Sequence, residues 1–231
     1  MQPKVPHFSK RRRQQLAILL GVWTLWLVGG ALGTTSTAQV PEKAPLRWGE
    51  RAPGLHLQPF HGPKRRRNSW RPTKNQKIIL LVFGDIACPA YHLYLPRIVG
   101  LKEKMAELNG DILWIYPHAL DSSLIPYPGA KVYKDLLGQS MGSYRIARLP
   151  TLVLLQKDRE PTRNPFSWGR KIRLENWSVR YAGAVDQDPE GHAIGIRQDL
   201  VEALRDLSHS PYVRIPATRT HGCPYPVTQR P

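Results

Sequence analysis

Cysteine is scarce in this chain: only two of its 231 residues, Cys88 and Cys223, carry a thiol. Two cysteines can close one disulfide at most, and they cannot supply the repeated C-x-x-C spacing of a structural zinc site. The chain also has no internal repeat, no aromatic RNA-binding signature and no basic heptads. We therefore expect no metal, no organic cofactor and no nucleic-acid partner.

Acidic residues are few as well, with 17 Asp and Glu against 34 Lys and Arg, and the formal net charge is +17. Part of this surplus lies in two runs, Lys10–Arg13 and Lys64–Arg67. A basic balance is compatible with acidic partners or anionic lipid. The simpler interpretation is solvated charge on tails and loops, and for Lys64–Arg67 contact with an anionic membrane surface is the alternative.

The first basic run precedes an uncharged stretch, Gln14–Val40, whose apolar centre is Leu16–Val28. A positive flank, a short apolar region and small residues are the parts of a secretory signal, and Ser36 and Ala38 offer a small-x-small cleavage site. An uncleaved anchor is the alternative, because Leu16–Leu32 is only slightly short for a membrane span.

Both interpretations predict export of the remainder of the chain, because the positive end stays in the cytoplasm. Residues 1–38 would be a signal peptide or signal anchor. The following domain would be periplasmic, or tethered to a membrane through residues 14–33 and facing outside the cytoplasm.

Continuous apolar runs predict three central strands that are buried on both faces: Ile78–Phe83, Ile112–Tyr116 and Thr151–Leu155. One helix is predicted from Pro89, with a kink at Pro96 and a stop at Asn109–Gly110. A strand, a helix and a strand joined by short turns imply a parallel pair with a right-handed crossover.

Weaker patterns predict four further elements, namely an edge strand at Leu55–Gln58, a short helix over Ala130–Leu137, a strand over Val179–Ala182 and a helix over Gln198–Leu207. The polar stretch 61–77 is a predicted surface loop. The element order indicates an α/β fold with a mixed sheet. We expect a linker over residues 39–46, one domain over 47–210 and an irregular tail over 211–231 that contains Cys223.

Cys88 is the most informative residue, because a strand and the turn at Gly84 lead to it and Pro89 opens a helix directly after it. At a helix N-terminus, unpaired backbone N–H groups and the macrodipole favour a thiolate. We therefore expect Cys88 to titrate below the roughly 8.5 of a free thiol and to be reactive. The alternative is a small core hydrophobe.

This order of elements, with a cysteine opening the first helix and Leu149–Pro150 opening the third central strand, resembles the thioredoxin fold over about Leu46–Leu207. In that fold the corresponding proline is cis and lies beside the active cysteine. The resemblance implies a central mixed sheet flanked by helices, with Leu149 and Pro150 as the floor for an extended substrate. Arg148 and Tyr91 are further substrate-binding candidates, Arg148 also as a partner of the thiolate.

Within this fold the chain resembles the redoxins. Arg51–Leu57 is similar to the opening of peroxiredoxin domains. Tyr91 stands where a thioredoxin carries the second cysteine of C-x-x-C, so a local dithiol is absent. Asp85 and Leu81 stand where peroxiredoxins carry threonine and proline.

A local resemblance links Phe83–Tyr91 to the iodothyronine deiodinase family and its bacterial relatives, whose pattern is F-G-S-x-T-(selenocysteine or Cys)-P-P-F. Sulfur replaces selenium here, and Ala87 replaces the threonine. The family carries a functional histidine in an H-x-x-D-G-W segment, and His118 and Asp121 match its first and fourth positions. The resemblance makes His118 a catalytic candidate that tunes a thiolate or moves a proton.

The segment Val213–Pro224 is similar to the end of exported bacterial redoxin-domain proteins, which often carry Thr-x-x-x-Gly-Cys after the last helix. Thr218, Gly222 and Cys223 carry this match. The resemblance suggests that Cys223 is the partner of Cys88, and a resolving thiol and a structural cysteine both remain open.

The sequence thus predicts an exported thiol-dependent oxidoreductase of the redoxin class, in which Cys88 attacks a peroxide or a substrate disulfide. Cys223, an external thiol reductant or a redox partner protein would complete the cycle. Two alternatives remain. One is a non-catalytic thioredoxin-fold envelope module with a structural disulfide, and the other is a deiodinase-like reductive dehalogenase.

Overall fold

A computed structural model describes residues 46–60, 70–117, 126–158, 174, 176–188 and 197–225, all within the unit Lys43–Pro231. The predicted signal or anchor, the linker up to residue 45, the run Lys64–Arg67 and His118 lie outside these residues. Within the described ranges, no helix has the length and apolar character needed to cross a membrane. Leu46 is only 3% exposed and belongs to the core, so the domain includes the last residue assigned to the linker.

The described residues form eight strands and four helices. The strands are β1 (Gln58–Pro59), β2 (Ile78–Phe83), β3 (Gly110–Tyr116), β4 (Lys131–Lys134), β5 (Arg148–Leu149), β6 (Thr151–Lys157), β7 (Trp177–Gly183) and β8 (Cys223–Pro224). The helices are α1 (Pro89–Val99), α2 (Lys102–Glu107), α3 (Gln139–Ser143) and α4 (Asp199–His209).

Six strands form one sheet in the order β1-β4-β3-β2-β6-β7. The pairs β2–β3 and β3–β4 are parallel, whereas β1–β4, β2–β6 and β6–β7 are antiparallel. The strand β2 is buried along its whole length, because Leu80 and Leu81 face two different core clusters on opposite sides of the sheet. A strand that is covered on both faces has a continuous apolar sequence. The strands β2, β3 and β6 confirm the three predicted central strands.

The four strands β3, β2, β6 and β7 form the core of a thioredoxin-like fold. The parallel pair β2–β3 is connected through α1 and α2, and β6 and β7 add antiparallel on the other side of β2. The pair Leu149–Pro150 directly precedes β6, as the sequence predicts. The fold class predicted from the sequence is therefore confirmed.

The predicted short helix over Ala130–Leu137 is wrong, because Lys131–Lys134 forms the strand β4. Val132 and Tyr133 are buried between neighbours, and β4 pairs with both β1 and β3. Leu136 and Leu137, at the end of the predicted helix, follow β4 and are 48% and 55% exposed. In so short a segment, pairing with an existing sheet outweighs helical propensity.

The predicted edge strand is displaced. Leu55 is fully buried in the core, and the edge strand β1 pairs with β4 three residues later, at Gln58–Pro59. The predicted irregular tail likewise contains a short strand, β8, which pairs with β5.

The single predicted helix after Pro89 is two helices. Pro96 lies inside α1, which ends only at Val99, and the N–H of Gly100 bonds the carbonyl of Pro96 at 3.0 Å. Proline within a helix removes one backbone donor. Glycine has a low helix propensity, and the chain leaves the helix at Gly100. The predicted stop is confirmed, because Asn109 adopts a left-handed φ of 52° before β3 begins.

Candidate redox site

The site lies at the edge of the sheet where the parallel strands β2 and β3 both end. After β2 the chain turns at Gly84, where a side chain would not fit: a Cβ atom would lie 2.6 Å from the ring of Tyr91. Asp85 then closes a tight turn, its carboxylate accepting the N–H of Ala87 at 2.9 Å and its carbonyl that of Cys88 at 3.0 Å. This turn places Cys88 as the residue that precedes α1, with extended backbone.

Cys88 is joined to Cys223 by a disulfide with Sγ–Sγ and Cα–Cα distances of 2.05 and 5.8 Å across 135 positions of sequence. The partner suggested by the resemblance is therefore brought to the site. Cys88 is only 2% exposed, whereas Cys223 is half-buried. The predicted low pKa of Cys88 applies only to the reduced protein, because a sulfur atom in a disulfide does not titrate.

The peptide bond between Leu149 and Pro150 is cis, as predicted. The Sγ atom of Cys88 lies 3.2 Å from the carbonyl oxygen of Leu149. A disulfide sulfur has no proton, so in the oxidised protein this is a contact rather than a hydrogen bond, whereas a reduced thiol at the same place could donate. Leu149 and Pro150 are both buried beside the bridge.

The tail covers this loop as a strand. Leu149 pairs with Cys223 and Arg148 with Pro224 in antiparallel register, and the N–H of Tyr225 bonds the carbonyl of Ala147 at 2.8 Å. The guanidinium of Arg148 donates to the carbonyl of Gly222 at 3.1 Å. This contact holds the tail backbone, so Arg148 acts on the residue before Cys223 and has no described contact with a sulfur atom.

The contacts of Thr218 and Gly222 explain why the tail motif carries these two residue types. Gly222 has a φ of +150°, and a Cβ atom there would lie 2.1 Å from the carbonyl oxygen of Leu149. The hydroxyl of Thr218 lies 2.6 Å from that of Tyr181 and accepts the N–H of Ala184 at 3.1 Å. Thr218 therefore attaches the tail to the end of β7, and Gly222 allows it to approach Leu149.

Tyr91 lies in the core, with 1% exposure, and its hydroxyl is 2.5 Å from that of Tyr116. Burial raises the pKa of Tyr91 far above its usual value, and raises the pKa of Tyr116 to about 12 against the opposing hydrogen bond from Tyr91. Both phenols are therefore neutral near pH 7. The burial favours a structural role for Tyr91, packed beneath the Gly84 turn, over direct contact with a substrate.

Sequence reasoning missed Asp135, which follows β4 at the same edge of the sheet. Asp135 is 1% exposed, and its Oδ2 accepts the N–H of Met141 at 2.7 Å. Burial raises the pKa of Asp135, and the hydrogen bond from Met141 opposes this. The charges of Asp135 and Asp85 in turn contribute to a raised pKa of Tyr225 in the tail, after burial as the main cause. A single aspartate between polar and apolar residues carries no signal for such burial.

The variant Asp135→Asn is expected to gain stability relative to the wild type as the pH rises from about 4, the usual pKa of an aspartate, to neutrality. The carboxyl has a raised pKa in the folded state, so the wild type loses stability as the pH passes from the unfolded to the folded pKa. An asparagine keeps an oxygen for the Met141 N–H but does not titrate. Urea unfolding of both proteins across this range measures the difference, and a difference independent of pH would contradict the assignment.

Comparisons with known proteins limit the conclusions to the fold. No protein-family model and no curated protein matches the chain. A hypothetical protein from Sinorhizobium meliloti 1021 superposes with a TM-score of 0.55 at 17% identity, covering 78% of this chain and 94% of that one. An uncharacterized conserved protein from Geobacillus kaustophilus superposes with a TM-score of 0.53 at 15% identity, covering 77% and 90%. At these sequence identities the similarity shows a shared fold and does not indicate an activity.

Proposed function

We propose that this protein is a thiol–disulfide oxidoreductase whose redox couple is Cys88 and Cys223. The observation that carries the proposal is the position of the bridge. It joins the residue that opens α1 to the tail strand β8, and its Cys88 sulfur lies 3.2 Å from the carbonyl of Leu149. Reactive disulfides are found where one sulfur can leave as a stabilised thiolate.

The unequal burial of the two cysteine residues supports a direction of attack. An incoming thiolate reaches the half-buried Cys223, because Cys88 is covered. It forms a new S–S bond with the Cys223 sulfur and breaks the bond to Cys88, which leaves with the electron pair as a thiolate. The N-terminus of α1 stabilises that negative charge, and a better-stabilised leaving thiolate leaves faster.

A second thiolate completes the exchange by attacking the donor sulfur of the mixed disulfide, which releases Cys223. Two donor thiols are thereby oxidised to one disulfide, and the protein disulfide is reduced to two thiols. Oxidation of the reduced protein by a substrate disulfide starts at Cys88, whose thiolate attacks the substrate and expels one of its two thiols. Cys223 then attacks the Cys88 sulfur, which closes the bridge and releases the second substrate thiol. The electron donor would be an external thiol reductant or a redox partner protein.

Peroxide reduction is the second candidate, and the helix N-terminal position of Cys88 favours it as well. The reduced thiolate would attack one peroxide oxygen, giving a sulfenic acid and one molecule of alcohol or water. Cys223 would then condense with the sulfenic acid, releasing water and restoring the bridge. His118, as a proton donor to the leaving oxygen, belongs to this proposal, as does export to an oxidising compartment where such a bridge persists.

The proposal is tested by equilibrating the full chain with glutathione redox buffers and counting free thiols by alkylation and mass spectrometry. We expect a reduction potential above roughly −300 mV, because structural bridges lie below that value. The reduced protein is then mixed with equimolar peptide disulfide or hydrogen peroxide. Fast formation of the Cys88–Cys223 bridge with the disulfide supports exchange, and selective reaction with peroxide supports the second candidate.

Unfolding free energies separate both candidates from a static bridge. In the chain-entropy estimate, an inert bridge that closes 135 residues stabilises the fold by about 5 kcal/mol. A redox-active pair should show a distinctly smaller difference between oxidised and reduced protein, since the reduced state gains from the thiolate at α1. A full difference together with a potential below the structural limit would overturn the proposed function.

A further inference from the structure

We propose that the tail residues 222–225 occupy the substrate groove of this protein, and that the groove selects extended peptides with glycine directly before the reacting cysteine. This inference rests on the proposed function and names the substrate class for the same site. The resident strand would stand in for the substrate strand of a mixed disulfide with Cys88.

Backbone pairing supplies the first argument. The tail binds β5 through antiparallel pairing of Leu149 with Cys223 and through the bond from the N–H of Tyr225 to the carbonyl of Ala147. Main-chain pairing of this kind does not depend on side-chain identity, so any extended peptide can form it with an exposed strand edge. The edge of β5 is available to another peptide whenever the tail leaves.

The residue before the cysteine supplies the selectivity. A Cβ atom at Gly222 would lie 2.1 Å from the carbonyl oxygen of Leu149 and 2.9 Å from its carbonyl carbon. These are backbone atoms beside the redox site, which cannot swing away as a flexible side chain can. The φ of +150° at the same residue also disfavours any side chain.

Arg148 adds a polar contact that marks the same position. Its guanidinium donates to the carbonyl of Gly222 at 3.1 Å, so it binds the backbone of the residue before the cysteine. A peptide of sequence Gly-Cys offers this carbonyl in the same place. Any residue before the cysteine offers such a carbonyl, so this contact fixes the register of the peptide, and the collision of a Cβ atom with Leu149 supplies the selectivity for glycine.

The reaction balances with the tail as the returning group. The Cys88 thiolate attacks the cysteine sulfur of the substrate disulfide, forms a mixed disulfide and expels the other half as a thiolate. Cys223 then attacks the Cys88 sulfur, and the substrate cysteine leaves with the electron pair. The substrate disulfide has gained two electrons, and the protein dithiol has lost them.

The test uses the full-length Cys223→Ser variant, in which Cys88 is the only thiol. Two peptides with the sequences His-Gly-Cys-Pro-Tyr and His-Ala-Cys-Pro-Tyr are supplied as mixed disulfides with thionitrobenzoate. Mass spectrometry measures the rate at which each peptide becomes attached to Cys88, and the rates are divided by those with free glutathione thiol. We expect the glycine peptide to react at least about tenfold faster, from the size of ordinary overpacking penalties.

Equal normalised rates would overturn the selectivity and leave the proposed function standing. If neither peptide nor oxidised glutathione reacts with Cys88, the proposed function falls together with the inference. A tail that still covers the groove in this variant slows both peptides alike and leaves their ratio intact.

A second measurement uses the wild-type cysteines and does not depend on peptides. The variant Gly222→Ala should shift the Cys88–Cys223 equilibrium with glutathione at least about tenfold towards the dithiol. Gly129→Ala is the matched control, because Gly129 also has a positive φ of 81° but no atom within 4 Å of an added Cβ. An equal shift in both variants, or no shift in Gly222→Ala, would show that a side chain at position 222 does not collide with Leu149.

Discussion

Replacing Tyr91 with alanine is expected to lower the free energy of unfolding by about 3–5 kcal/mol, the range for large aromatic side chains removed from a core. The ring of Tyr91 is 1% exposed and packs edge-on against Trp114 and Tyr116. It also lies directly beneath the turn at Gly84. Its loss leaves a cavity under the loop that positions Cys88, so the thiol–disulfide equilibrium should shift together with stability.

The milder variant Tyr91→Phe separates packing from hydrogen bonding. It keeps the ring and leaves the buried hydroxyl of Tyr116 without its partner at 2.5 Å, which should cost about 1–3 kcal/mol. Tyr116→Phe and the double variant complete a cycle that isolates the hydroxyl–hydroxyl term. Urea unfolding measures all four proteins. A Tyr91→Ala variant as stable as Tyr91→Phe would show that the ring does not support the loop.

The variant Gly183→Ala is expected to detach the tail from the end of β7 and to weaken the disulfide. A Cβ atom at Gly183 would lie 2.2 Å from the hydroxyl oxygen of Thr218 and 2.8 Å from its backbone nitrogen and oxygen. Relief requires the tail backbone to move, at a cost of about 1–3 kcal/mol. Because Thr218 is five residues before Cys223, its release lowers the effective concentration of the Cys223 thiol near Cys88.

Glutathione titration should therefore find Gly183→Ala more readily reduced than the wild type. Gly100→Ala is the control, because Gly100 has a φ of −61° and an added Cβ there would meet atoms only at 3.5 Å. That variant should be neutral or gain about 0.4–1 kcal/mol from the more restricted unfolded chain. An unchanged thiol–disulfide equilibrium in Gly183→Ala would show that the Thr218 contact does not position Cys223.

Local patterns were sufficient for the elements that carry the site. The continuous apolar run of β2 can be buried only between two layers, and the turn at Gly84 followed by Cys88 and Pro89 sets the start of α1. The resemblance of Leu149–Pro150 to the thioredoxin fold correctly implied a cis peptide bond beside the cysteine. The strand pattern and the helix start depend on neighbours within a few positions and can be predicted from local sequence, whereas the position of Leu149–Pro150 beside Cys88 came from the resemblance.

In segments with weak local preference, the structure is determined by contacts with distant parts of the chain. The stretch Lys131–Lys134 is a strand because β1 and β3 offer backbone partners on both sides, which no pattern within eight residues reveals. The burial of Asp135 and the pairing of Tyr91 with Tyr116 likewise depend on elements that are distant in the chain. Their energies come from tertiary contacts and desolvation rather than from propensity.

The sequence by itself determined the α/β class, the central strands and a cysteine at a helix N-terminus, because periodicity and turn chemistry are local. Only the tertiary structure decided that Cys223 reaches Cys88 across 135 positions. Loop closure costs little more for a long loop than for a short one, so the number of intervening residues neither favours nor forbids such a pair. Geometry decides it: Thr218 attaches the tail to β7, Arg148 holds the carbonyl before Cys223, and only glycine at 222 lets the backbone approach Leu149.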